Sequence, residues 1–367
     1  MDGAKALFNG NLLQAFVSND KARSERGGTQ FLAISEDGDR IQLHESLKRA
    51  FRPASDHLLR CGLTPTTQVE WHQNPLSMRR NELYVPCMFD EEFAPLGIEN
   101  ESWATDWQDA LESASLKSAF PGFMERHGFW GFAPQTLVFN PGQSIVLPDD
   151  FGKGWVKDAF ETTGGVNVKG PFEGADLRRA AQRFVRRGRV VQVQRHVPGN
   201  DYSNQYYLDD EGVHFLGTTV QVVLNGHHAG NESSSRDFGP VTHPMMDVLH
   251  EAGLRGFAGG DLRGNTTALV SEFNLRVNGS SVPEYLRRRF NFPSVYLIRE
   301  TPVNPNLSPE QVFRRLEEHG LEFSPEKGGI IAYLWGWLES GHTIGLASFG
   351  DNPSALYRRA AEVLMAA

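Results

Sequence analysis

A chain of 367 residues exceeds the usual size of a single core, so two or three subdomains are expected. Its 40% hydrophobic and 22% charged residues describe an ordinary globular protein, and the net charge of −9 argues against a general nucleic-acid binder, which needs basic patches. Cys61 and Cys87 are too few for a disulfide scaffold or a cysteine zinc site, and with no signal-like N-terminus or apolar run of 18 residues a cytoplasmic location without a membrane partner is expected.

In the first hundred residues, 30–34 and 41–43 read as a hairpin around Gly38, and 83–85 as a short strand that Pro86 confines to an edge. No glycine-rich loop of the P-loop or dinucleotide type occurs here or later. Residues 107–120 read as a helix carrying Lys117, ended by Pro121-Gly122. A strand starts at Thr136, and a second, over 154–160, carries Lys157 into a polar loop containing Gly164 and Gly165. A lysine projecting toward such a loop suits a triphosphate, because the ammonium is a point charge and glycines let backbone N–H groups approach phosphate oxygens. Gly174 opens an amphipathic helix that runs through Val185. The basic groups from Arg178-Arg179 to Arg189 and at 287–289 read as solvated faces or phosphate-side charges.

A strand from 189 leads through Gln194, Arg195 and Val197 into Pro198-Gly199 and then Asp201. Strands follow at 202–207, 214–216 and 218–224, then a long polar loop over 225–236, expected to face the substrate or act as a lid. His227, His228 and His243 make a poor zinc set, since adjacent histidines on a strand point to opposite faces and no helical His spacing is present. A helix over 242–252 precedes the glycine-rich run 256–260, read as a turn closed by Asp261.

The strand over 268–277 then places Glu272, Asn274 and Arg276 on one face, because side-chain direction repeats every two residues. Two carboxylates and an amide are hard oxygen ligands suited to Mg²⁺ carrying phosphates, and Arg276 adds a fixed cation. Asn278 to Ser281 read as a turn capping a helix, and 300–367 as a compact αβ tail with a helix over 308–320, two strands and a closing helix near Pro353.

Lys157 with Gly164-Gly165, the hinge from Gln194 to Asp201, Asp261, and Glu272-Phe273-Asn274-Leu275-Arg276 occur in the order of an ATP-grasp domain. Over about residues 115–300 the chain resembles that superfamily, departing at Gln194, where a glutamate is more usual. The resemblance implies an α/β (α+β) fold in which two αβ subdomains sandwich ATP. The implied division is an N-terminal domain over 1–115, a first ATP-grasp subdomain over 116–193, a nucleotide- and metal-binding subdomain over 194–300, and an extension over 301–367.

It further implies ATP and Mg²⁺ as cofactors, with Asp261, Glu272 and Asn274 as metal ligands. Lys117, Lys157, Gly164 and Gly165 would meet the phosphates, Gln194, Arg195 and Val197 the base, and Asp201 the ribose. Lys157 and Arg276 would serve catalysis in an ADP-forming ligase that joins a small-molecule carboxylate to an amine. The tail, with 328–334, is faintly similar to pheganomycin-type peptide ligases, which points to an amino acid or peptide substrate. A homodimer is compatible with the resemblance. Two alternatives stay open: an ATP-grasp phosphotransferase, and a non-catalytic nucleotide-binding module.

Overall fold

A computed structural model of the chain describes residues 6–9, 27–72, 83–86, 113–159, 168–224 and 227–366. The N-terminal layer holds β1 (Ala6–Asn9), β2 (Arg40–His44), β3 (Val69–His72) and β4 (Leu83–Pro86), all parallel, in the order β3-β2-β1-β4. Parallel neighbours need a crossover, and α1 (Lys48–Arg60) supplies it between β2 and β3, burying Ala50, Ala54, His57 and Leu58 along one stripe. The expected hairpin is absent. Residues Gly27–Ala33 form a 3-10 helix, and β2 pairs in parallel instead. Phe31 and Leu32 are both fully buried, and a short run buried on all sides carries no alternation to separate helix from strand. Pro86 does end a strand at the sheet's edge, where a missing N–H costs no ladder bond.

The middle segment contributes α2 (Phe120–Arg126), β5 (Thr136–Phe139), β6 (Lys153–Asp158), β7 (Val168–Glu173), α3 (Gly174–Arg186) and β8 (Val191–Arg195). The strands form an antiparallel sheet, β5-β8-β6-β7, on which α3 packs Leu177, Ala181 and Val185 against Val156, Val191 and Val193. Pro121 was expected to end a helix, yet it stands in the first turn of α2, where the absent N–H would have had no helical partner. Residues 107–112 of the expected helix, and the expected phosphate-loop glycines Gly164 and Gly165, lie outside the described residues.

The rest of the chain builds an eight-stranded antiparallel sheet in the order β13-β12-β9-β10-β11-β14-β16-β15. Its elements are β9 (Asn200–Asp209), β10 (Gly212–Leu224), β11 (His227–Ser233), α4 (Gly239–Glu251), β12 (Gly256–Gly264) and β13 (Ala268–Asn274). They continue with α5 (Ser281–Arg289), β14 (Val295–Pro302), α6 (Pro309–Glu318), β15 (Gly329–Leu334), β16 (Thr343–Phe349) and α7 (Pro353–Met365). Two expectations are corrected. The long loop over 225–236 contains β11, whose inward residues are polar: Asn231 is buried and donates to Thr219 Oγ1 at 3.0 Å. Gly230 there lies so close to the Leu297 carbonyl that no Cβ would fit. The run 256–260 is the first half of β12 rather than a turn, and Asp261 sits mid-strand.

The tail extends this sheet, and the expected boundaries at 193/194 and 300/301 fall inside β8 and β14. Phe31, Ile41 and Leu58 of the N-terminal layer share one apolar cluster with Phe313, Ile331, Trp335 and Phe349 of the tail. The outer edge of β15 is covered, since Ile330 N donates to Leu321 O at 2.8 Å and Ala332 N to His57 Nε2 at 3.0 Å. Among the described residues no helix is long and apolar enough to cross a membrane.

Candidate functional site

Strand register brings the polar residues together. Asp261 on β12 stands opposite Glu272 on β13 and opposite Ser203 on β9. The pairing slips by one residue after Asp261, so that Leu262 faces Val270 and Ser271 is the extra residue of a bulge. Bulges re-aim neighbouring side chains, and here Glu272 and Asn274 share the Asp261 face. Arg276 Nη1 donates to Asn274 Oδ1 (3.0 Å), Asn274 Nδ2 to Asp261 Oδ2 (2.8 Å), and Ser203 Oγ to Asp261 Oδ1 (2.7 Å). Gln205 Nε2 in turn donates to Ser203 Oγ at 2.8 Å.

The opposite face of β13 fixes what approaches from outside the sheet. Phe273 packs edge-on to Phe120 and Phe123 of α2, with ring centroids 5.4 and 5.7 Å away. That contact seats the turn before α2, from which Lys117 Nζ reaches Glu272 Oε2 at 3.6 Å. Lys157 Nζ, from β6 of the smaller sheet, reaches the same oxygen at 3.6 Å. Gln192, paired opposite Lys157, donates its Nε2 to the Lys117 carbonyl at 2.7 Å. Two segments distant in sequence thus deliver two ammonium groups to one carboxylate.

Burial pushes the Glu272 carboxyl up, but Lys117, Lys157 and Arg276 together outweigh it and hold the group well below the usual carboxylate range. Burial raises Asp261 and the Glu272 charge adds to the rise, opposed by hydrogen bonds from Ser203 and Asn274. Lys157 is pushed down by burial, and Glu272 partly restores it. Of the two carboxylates, Asp261 is the one whose charge the neighbouring cations balance less. Its oxygens, those of Glu272 and Asn274 Oδ1 form a hard donor set that fits Mg²⁺.

The expected hinge residues lie at the junction of the two sheets. Gln194 Nε2 donates to Thr136 Oγ1 (3.2 Å) and to the Ser271 carbonyl (3.0 Å), tying β8 to β13 and leaving Oε1 as the group able to accept. Arg195 is exposed and Val197 half-buried. Asp201 pairs with Arg263 Nη1 at 3.4 Å; burial pushes its carboxyl up and Arg263 opposes that. The Arg263 guanidinium lies 5.2 Å from the Trp155 ring centroid, and Trp155 Nε1 donates to His196 Nδ1 at 3.1 Å. His228 hydrogen-bonds Asn231 Oδ1 at 2.9 Å, and His243 lies 3.7 Å from Asp247. The grouping at metal-ligand spacing among the described residues, Asp209, Glu211 and His214, includes neither histidine.

Ser203, Gln205, Gln192, Trp155 and Arg263 escaped the sequence reading. A signal existed for three of them, and Ser203 and Gln205 alternate with Asp201 along β9. Trp155 alternates with Lys157 on β6 in the same way.

No family model matches the sequence, and no curated protein matches it. Solved structures do match the fold. Biotin carboxylase from Campylobacter jejuni, as its β,γ-ATP complex, superposes with a TM-score of 0.57 at 11% identity, covering 99% of this chain and 92% of that one. The ADP complex of N5-carboxyaminoimidazole ribonucleotide synthetase gives 0.54 at 11% identity, covering 98% and 96%. L-amino acid ligase from Bacillus licheniformis gives 0.50 at 13% identity, covering 99% and 98%.

Proposed function

We propose that this chain, which has the ATP-grasp fold, is an ADP-forming carbon–nitrogen ligase acting in the cytoplasm on small molecules. It joins the carboxylate of an amino acid or peptide to an amine. The observation that carries the reading is the convergence of half-buried Lys117 and buried Lys157 on Glu272, with Asp261 directly across the strand pair. Neighbours solved with ADP and with β,γ-ATP support a nucleotide site.

A carboxylate oxygen of the acid attacks the γ-phosphorus of ATP, the bond from that phosphorus to the β,γ-bridging oxygen breaks, and ADP leaves. The amine nitrogen then attacks the acyl carbon, the carbon–oxygen bond to phosphate breaks, and the nitrogen loses a proton. Such chemistry asks for charge neutralisation and alignment, with no nucleophile from the protein. Lys157 stabilises the transferring phosphoryl group and Lys117 the neighbouring phosphate charge. Asp261, Glu272 and Asn274 would hold Mg²⁺, which when bound would neutralise phosphate charge as a Lewis acid. Arg276 holds the carboxylate and then its acyl phosphate. Gln194 Oε1 accepts from the adenine amino group, Arg195 and Val197 line the base, and Asp201 accepts from the ribose.

The test is ADP release with Mg²⁺–ATP against pooled amino acids and short peptides, followed by mass spectrometry. Amine-dependent ADP release with a product one water lighter than its two parts is expected. ADP release with a phosphorylated product and no amine incorporated would replace the ligase with a phosphotransferase. No stabilisation by Mg²⁺–ATP in a thermal melt would remove the nucleotide site itself.

A further inference from the structure

Beyond the site described, the described residues hold a second cationic centre. Arg299, on β14, is half-buried, and its Nε is shut away from solvent with no partner. Among the described residues no carboxylate or other acceptor pairs with it. Its stem runs over Gly279, close enough that a Cβ there would touch Arg299 Cδ at 3.2 Å. Its guanidinium carbon lies 5.9 Å from the Trp337 ring centroid.

The residue before Gly279 carries the second orphan. Asn278 Oδ1 accepts from Ser280 N at 3.1 Å and Ser280 Oγ at 3.2 Å, which fixes the amide. Its Nδ2 is consequently directed away from those donors, lies against Gly259, and is buried without a partner. Asn278 follows Arg276 by two residues, so the pair borders the end of the motif strand. Leaving either donor unmade is costly, and most of all the charged one.

We infer that Arg299 and Asn278 form a carboxylate subsite for a substrate, distinct from the carboxyl group that Arg276 holds for activation; this rests on the ligase reading above. One guanidinium and one neutral amide supply a single positive charge and several N–H donors. That set matches a planar monoanion such as a carboxylate better than a phosphate dianion. Trp337 backs the guanidinium and limits water on that side. The substrates together therefore carry a free carboxylate that survives the reaction, on the amine partner or on the acid partner.

Amino acids are tested in all pairs for ADP release, and in the active pair every carboxylate except the one that is activated is replaced in turn by its amide, because the acid partner cannot react without that one. The inference expects one of these amides to fail, and the partner it belongs to carries the anion. Arg299→Gln raises the KM of that partner roughly 10- to 100-fold, the loss expected when a charge-assisted hydrogen bond is removed. The KM for ATP stays put, and Arg299→Lys restores part of the loss. Asn278→Asp keeps the acceptor that Ser280 uses, places an oxygen where Nδ2 was, and raises the same KM.

Amides of the non-activated carboxylates that all work as well as their acids, or an Arg299→Gln variant with unchanged KM values, would overturn the inference. If no pair turns over, saturation-transfer NMR of the same amino acids decides. Binding to the wild type that disappears in Arg299→Gln upholds the subsite; equal binding, or none to either protein, overturns it. A Mg²⁺–ATP thermal shift on the same samples reports on the nucleotide site separately, so the two readings fail independently.

Discussion

Glu272 is the residue on which the charges of the site converge, and its removal tests the site most directly. In Glu272→Gln the two ammonium groups lose the anion that balances them. Lys157, already pushed down by burial and partly restored by Glu272, then gives up its proton more readily, which weakens the cation proposed to face the phosphates. ADP release should fall by roughly 100-fold or more, the effect of several kcal/mol of charge stabilisation, with the far-UV circular dichroism unchanged. Ser203→Ala is subtler, because Asp261 Oδ1 loses its 2.7 Å donor. The Mg²⁺ concentration for half-maximal ADP release should rise roughly 10-fold, as expected when the partner of a metal ligand is removed. An unchanged Mg²⁺ dependence would show that Ser203 does not hold Asp261 for a metal. Glu272, Asn274 and Arg276 were legible because alternation along one strand is a local pattern. Ser203 falls on the alternation that includes Asp201, yet its contact with Asp261 comes from pairing β9 with β12, which no local pattern encodes.

Between elements, two contacts set how the site and the frame hold. Phe273 joins β13 to α2 through Phe120 and Phe123, so Phe273→Ala should cost about 3–5 kcal/mol in chemical denaturation. It should also raise the KM for ATP, because the turn bearing Lys117 loses its seat. A destabilised variant with an unaltered KM would mean that Lys117 is placed by something else. The second contact joins α1 to the segment before β15. Arg60 grips Glu322 with Nε at 2.9 Å and Nη2 at 2.7 Å, and His57 Nδ1 approaches the same carboxylate at 2.6 Å. Because His57 Nε2 accepts from Ala332 N, its proton is on Nδ1 and is donated to Glu322.

Burial raises Glu322, yet the His57 and Arg60 hydrogen bonds outweigh it and hold the carboxyl below its ordinary value of 4.5. With the folded pKa below the unfolded one, the unfolded chain binds the proton more readily. The stabilisation is therefore full above 4.5 and fades as pH falls through the folded pKa. In thermal melts the advantage of wild type over Glu322→Gln should be constant near neutrality and shrink below that point. A constant advantage down through the acid range would show that Glu322 keeps no depressed pKa in the fold. None of this clamp was visible in sequence, where His57, Arg60 and Glu322 are far apart. The amphipathic helices were legible by contrast, α3 from its stripe and α6 within the helix expected over 308–320. Strand β11 escaped because its buried face is polar, and the 3-10 helix because it has no exposed face.

At the scale of the molecule, the tail reads in sequence as a separate αβ unit because its helices and strands follow one another compactly. Sheet continuity is a non-local property, and here β14 is bonded to β11 on one side and to β16 on the other. The apolar cluster that holds Phe313, Ile331, Trp335 and Phe349 also holds Phe31, Ile41 and Leu58 from the start of the chain. A chain ending at residue 300 would cut β14, expose one flank of β11 and leave the N-terminal layer without its partner surface. Open strands and bared apolar area both favour aggregation. The shortened chain is therefore expected to be recovered as aggregate, or to melt without a cooperative transition. Its failure would follow from loss of the frame, since Lys117, Lys157, Asp261, Glu272 and Asn274 all lie before the cut. A soluble fragment that unfolds cooperatively and is still stabilised by Mg²⁺–ATP would reverse the argument, making the tail an appended unit that the nucleotide site does not need.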